Sequence, residues 1–168
     1  MYQSFDSMPG HSRLWVYQAN RFFRPQEADQ LKEGLNNLCE QWSAHQVSLH
    51  TSFILQHDLF AILAVDEQQA GASGCSIDNS VHFLKGLQQS LGLDFFDRRQ
   101  VAFIDGDHVT LQPIGQLNQL FESHTLTGDS FTFNVLAVTK SEWVENGRMR
   151  VKDSWLNRYL PKTAVAGK

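Results

Sequence analysis

The sequence predicts an α+β fold: a two-layer sandwich in which a mainly antiparallel sheet carries helices packed on one face. Three observations lead there. Apolar residues recur at helical spacing in two long stretches. Runs rich in Val, Ile, Phe and Leu, with the habit of strands, lie before and after them. Short turns, His57-Asp58 and Asp105-Gly106-Asp107, join neighbouring runs, and a turn that short permits only antiparallel pairing.

The elements follow in order. RLWVYQAN, residues 13–20, reads as the first strand. Arg24-Pro25 opens a helix, with Glu27 and Asp29 in its first turns, where carboxylates complement the helix dipole. Leu31, Leu35, Leu38 and Trp42 form its apolar stripe. Cys39 shares the face of Leu35 and reads as a small buried hydrophobe. Residues 48–57 alternate: Leu49, Phe53 and Leu55 take one face, and His50, Ser52 and Gln56 take the other, which is expected to be wet. LFAILAV, residues 59–65, is apolar throughout, the pattern of a central strand buried on both faces. After a loop of small residues, Ile77, Val81, Leu84, Leu87 and Leu91 form a second helical stripe, ended by Gly92.

Residues 101–104 and 108–112 make a hairpin around Asp105-Gly106-Asp107. Ile114, Leu117, Leu120 and Phe121 predict a short helix. SFTFNVLAV, residues 130–138, predicts one long strand. Thr139 and Glu142 fit a capping box that opens a helix containing Trp143 and Val144. Val151, Trp155, Leu156, Tyr159 and Leu160 predict a terminal helix stopped by Pro161, with a flexible tail over 162–168. No repeat, low-complexity segment or linker divides the chain, so one domain spanning 1–168 is expected.

Composition narrows the function. Hydrophobic residues are 42% and charged residues 19% of the 168 positions, which is globular rather than disordered. The net charge of −4 argues against nucleic acid as a partner. The charge is uneven: residues 1–147 hold 8 Lys/Arg against 17 Asp/Glu, whereas residues 148–168 hold 6 against 1, a net +5. The plain reading is a basic terminal segment lying on an acidic body; the alternative is a basic arm that touches an anionic partner. MYQSFDSMPG lacks a basic region followed by an apolar run, so no signal peptide is expected. No stretch approaches the ~20 apolar residues that cross a bilayer. Two cysteines, Cys39 and Cys75, lie far apart outside any C-x-x-C pattern, which excludes a disulfide scaffold or a cysteine zinc site and suits the cytoplasm.

The stretch AVDEQQAGASGCSIDNS, residues 64–80, departs from routine packing. A small-residue loop between strand and helix is where backbone N–H groups cradle anions. Gly71 and Gly74 are too close together for a phosphate loop, however, and no Gly-Lys-Ser/Thr follows. Asp66, Glu67 and Asp78, the last expected in the first helical turn, would also repel a phosphate. Ser73, Ser76 and Asp78 are equally plain helix caps. Cys75 near a helix start gains thiolate character from unpaired N–H groups. Nucleophilic catalysis by it needs a base in reach. His82 stands about two turns, ~10 Å, further along, and His50 on another strand is the alternative. Asn134 interrupts the apolar run FTFNVLAV, either as a polar anchor inside a pocket or as a hydrogen-bonded amide of the core. Asp94, Asp97, Arg98 and Arg99 read as a solvated ion-pair cluster, although paired Arg residues also suit a carboxylate.

RLWVYQANR, AVDEQQAGASGCSIDNSVHFL and DFFDRRQVAFIDGD together resemble an uncharacterised family of small bacterial proteins, over most of the chain and most specifically in GASGCSID. Members of that family carry the label "ABC transporter ATPase". LFAILAVDE does resemble a Walker B strand ending in acids, but the phosphate-loop Lys and an LSGGQ-like signature are missing from the sequence, so the resemblance implies a misapplied label and no catalytic residues.

The expectation is therefore a binding protein, for a small molecule or another protein, centred on residues 64–80. Asp66, Glu67, Ser73, Gly74, Ser76, Asp78 and Asn134 are its binding residues. A thiol-dependent or redox-sensitive role for Cys75 is the alternative. No cofactor or metal site is assigned, membrane insertion and nucleic acid are not expected, and a homo-oligomer is compatible with the sequence.

Overall fold

In the computed structural model, which describes residues 1–44, 47–68 and 74–162 (backbone only at 43–44, 47–48, 74–77 and 79), the order of elements begins with β1 (Arg13–Gln18) and α1 (Pro25–Gln41). Two-residue strands β2 (Ser43–Ala44) and β3 (Val47–Ser48) pair with each other, and β4 (His50–Gln56), β5 (Phe60–Asp66) and α2 (Gly74–Leu91) follow. These belong to one of two compact units, Met1–Asp97 with Val135–Gly147; the other is Arg98–Asn134 with Arg148–Lys168. The α+β, antiparallel character expected from the sequence is what forms, with the strands distributed over separate sheets.

The first unit is organised by β5. Its sheet has the order β1-β5-β4, all antiparallel, with Trp15 opposite Leu63 and Phe53 opposite the same residue on the other side. Every residue from Phe60 to Val65 is 0% exposed, as an uninterrupted apolar run requires of a central strand. The connection from Gln56 to Phe60 turns on His57 and Asp58, whose φ of 56° and 51° are both left-handed, and the Leu59 N–H closes the turn on the Gln56 carbonyl at 3.1 Å.

Alternation sorts the side chains. Ala61, Leu63 and Val65 of β5 face a core built with Leu31, Leu35 and Cys39 of α1 and Leu84 of α2. The two helices approach closely at Gly34, where an added Cβ would stand 2.6 Å from the tip of the Phe83 ring. Glu27 fixes the start of α1: it accepts from the Arg24 backbone N–H at 2.8 Å and from both Arg21 Nη atoms at 2.8 Å. Gly92, at φ +65°, ends α2 where the sequence places it.

The opposite face of this sheet is also covered. The helix α4 (Lys140–Asn146) sets Trp143 edge-on to Phe60, ring centroids 6.1 Å apart, and the indole N–H donates to Gln56 Oε1 at 3.1 Å. Ser52 is fully buried and its hydroxyl donates to the Gln3 carbonyl at 2.7 Å. The face expected to be wet at His50, Ser52 and Gln56 is thus partly covered, with Ser52 sealed and His50 and Gln56 half-buried, because chain from both ends of the sequence folds over it. Thr139 caps α4 by accepting from the Glu142 N–H, while Glu142 reaches back to the Val138 N–H rather than to that of Thr139.

The second unit holds β6 (Gln100–Asp105), β7 (His108–Pro113), α3 (Leu117–Glu122), β8 (Phe131–Phe133) and β9 (Arg148–Arg150), with sheet order β7-β6-β8-β9. The β6–β7 hairpin turns on Gly106 at φ +59°. Val101 and Phe103 pack with Leu117, Phe121, Val151 and Leu156. Two expectations are corrected here. Residues 130–138 are not one strand: β8 stops at Phe133, and Val135 begins the return to the first unit. The terminal stripe is not an α-helix but two 3-10 segments, Val151–Asp153 and Trp155–Tyr159, separated by extended Ser154, whose hydroxyl accepts from the Leu156 N–H. A hydroxyl that competes for backbone N–H groups favours such a break. Except for Lys162, the tail expected at 162–168 lies outside the described residues.

Candidate functional site

The end of β5 gathers polar side chains from three strands. Asp66 closes the strand because its carboxylate turns to accept from the Gln68 backbone N–H at 3.1 Å, an Asx turn that competes with further pairing. His11 Nε2 lies 3.2 Å from the same oxygen. His50 sits directly across the ladder on β4. The Gln68 N–H, and then His11 and His50, hold the Asp66 carboxyl below its ordinary range, and partial burial works against them. Glu67, next along, accepts from Arg13 Nη1 at 3.3 Å. The Arg13 guanidinium also lies 4.8 Å over the Trp15 ring, which leans on Trp42 at 5.9 Å.

Aspartate, histidine and serine are all present here, since Ser12 lies one position beyond the last β1–β5 pair. They do not form a nucleophilic triad. Ser12 is 0% exposed, and its hydroxyl has no hydrogen-bond partner among the described residues. A sealed hydroxyl without a base cannot attack a substrate. Among the described residues no group of three His, Cys, Asp or Glu could hold a metal ion. What the cluster presents is a largely shielded carboxylate, Asp66, with His11 beside it and His50 across the ladder.

The other residues expected at the site divide three ways. Ser73 lies outside the described residues, as do the side chains of Cys75 and Ser76; Gly74 and Cys75 are the first two residues of α2. Asp78 is exposed and is the fifth residue of that helix, so no acidic group occupies the first turn, where Asp78 was expected to complement the dipole and repel a phosphate. Asn134, at the exit of β8, belongs to the second unit and not to the unit that contains Asp66 and Glu67. Ser80, the last residue of the singled-out stretch, is fully buried and hydrogen-bonds the Tyr17 side chain; burial raises the Tyr17 pKa and Ser80 opposes that rise. Asp94 serves as a turn cap, accepting from the N–H groups of Phe96 and Asp97.

Sequence reasoning missed His11 and Arg13. Each meets its acid across more than fifty residues of chain, and only the β1–β5 register joins them.

Fold and site define an α+β chain with a cluster of charged side chains at the end of a central strand. No protein-family model matches this chain, and no curated protein or solved structure matches it.

Proposed function

We propose that this chain is a binding protein, and that a small polar ligand carrying a cationic or hydrogen-donating group docks at the end of β5. The observation that carries this reading is Asp66: its side chain is only 11% exposed yet stays ionised between His11, the Gln68 N–H and His50. A carboxylate held this way is already oriented and partly desolvated, so an incoming cation meets a strong partner at little reorganisation cost. Glu67, Ser73, Gly74 and Ser76 complete the proposed site, and Asn134 serves separately in its own unit. Thermal-shift titration of metabolites tests it. One compound should raise the midpoint in the native protein and not in Asp66→Asn. A panel without effect, or an equal shift in the variant, defeats the reading.

The second reading is thiol chemistry at Cys75, favoured by its place in the first turn of the 18-residue α2. It requires alkylation at neutral pH much faster than for an ordinary thiol with a pKa of about 8.5. The family resemblance, a cytoplasmic location and the absence of P-loop ATPase activity belong to this same proposal. Pure protein should neither saturate with Mg-ATP nor hydrolyse it. No helix among the described residues is long and apolar enough to cross a membrane.

A further inference from the structure

We propose that the sheet of the second unit carries a docking surface for single-stranded nucleic acid, formed by Arg148, Arg150 and Lys152 beside Phe131. This surface is separate from the end of β5 and does not depend on the function proposed there.

The register builds it. Phe131 pairs with Arg150 and Phe133 with Arg148, and the ladder continues beyond the strands through the Val151 N–H to the Ser130 carbonyl and the Lys152 N–H to the Gly128 carbonyl. Alternate strand residues share a face, so Arg148 and Arg150 stand on the same face as Phe131, and Lys152, in the 3-10 turn after β9, joins them through Asp129, whose carboxylate it shares with Arg150. Arg148 and Arg150 are two strand residues apart, about 7 Å, comparable with the phosphate repeat of an extended single strand. Strand β9 is an edge strand, and the three basic side chains are each about half exposed. Phe131 is 42% exposed, and the Arg150 guanidinium lies 5.8 Å from its ring centroid. An exposed ring next to clustered cations is the arrangement that stacks bases without reading their sequence.

Asp129 shows what these cations recognise. A single oxygen, Oδ1, accepts from Arg150 Nη1 at 2.7 Å and from Lys152 Nζ at 2.8 Å. One anionic oxygen shared by two cations is the geometry of a phosphate oxygen, so Asp129 occupies the place of one phosphate and competes with it. Arg148 is held more loosely, by the Gly106 carbonyl at 3.3 Å and Asp107 at 4.0 Å. The net charge of the chain conceals this surface. The first unit holds 6 Lys/Arg against 13 Asp/Glu, net −7, and the second 8 against 5, net +3.

Fluorescence anisotropy of the full chain with labelled oligothymidylate and oligouridylate of about 20 nucleotides tests the surface. Micromolar binding is expected at low salt. Three phosphate contacts on a single strand weaken it about twentyfold between 50 and 200 mM salt. Phe131→Ala should weaken binding roughly tenfold, Arg148→Gln should reduce the salt slope, and Asp129→Asn should tighten binding, each in protein that keeps the native circular-dichroism spectrum. Four results overturn the proposal: no anisotropy change at high protein concentration, equal binding to duplex, unaltered binding by Phe131→Ala, or equal competition by polyglutamate, which would assign the surface to an acidic protein instead.

Discussion

Glu27 is the most strongly held ionisable side chain of the first unit. Its carboxylate accepts from Arg21 through both oxygens and from the Arg24 N–H, and these bonds bring its pKa from 4.5 down to about 2. The folded value is the depressed one, so the stabilisation is complete above pH 4.5 and is lost as the pH falls toward 2. Glu27→Gln should cost about 2 kcal/mol in urea unfolding at pH 7, since charge-assisted bonds to a buried acceptor are lost, and should cost far less at pH 3. Cys39 shows the opposite behaviour. Burial pushes its thiol up to about 11, leaving roughly one molecule in a thousand as thiolate at pH 8. Peptide mapping after iodoacetamide treatment should find Cys39 unmodified in native protein and modified only after unfolding.

At the scale of elements, β5 carries the first unit. It pairs on both edges and is buried on both faces, so its side chains have no route to relax outward when truncated. Leu63→Ala should cost about 3–4 kcal/mol by chemical denaturation, and a substitution on exposed Val144 should cost under about 0.5 kcal/mol. The periodic and composite signals of such elements were legible in the sequence: LFAILAV, the stripe from Leu31 to Trp42, the turn at His57-Asp58 and the stop at Gly92 all stand where expected. The misreadings have local causes. FTFNVLAV keeps the apolar density of a strand while passing from one unit to the other, with Leu136 and Val138 left 66% and 61% exposed. The stripe from Val151 to Leu160 keeps helical spacing while Ser154 breaks it.

At the scale of the molecule, Glu27 is depressed by Arg21, Asp66 by the Gln68 N–H and the neighbouring imidazoles, and Asp129 by Lys152 and Arg150. All three bind protons more readily when unfolded, so stability should fall steadily as the pH drops through the carboxylate range from about 4.5 downward. Urea midpoints at pH 7, 5, 4 and 3 measure this; a flat profile would show that these pairs add nothing. No composition shift marks the passages at 97–98, 134–135 and 147–148, so the division into two units was not legible in the chain. The chain crosses in short loops of mixed composition, with no Gly-, Pro- or Ser-rich run to mark them.

What the sequence determined by itself was whatever depends on neighbours along the chain: the α+β class, the buried central strand, the helix stripes, the turns and the inert character of Cys39. Asp66 and Glu67 were legible for the same reason, as acids that end an apolar run. Only the tertiary structure decided which residues face them. His11 and Arg13 reach those acids through strand register, as Arg148 and Arg150 come to the face of Phe131 through the pairing of β8 with β9. Register is fixed by the burial of whole faces against a core, a condition that involves residues fifty positions apart and leaves no local mark in the sequence.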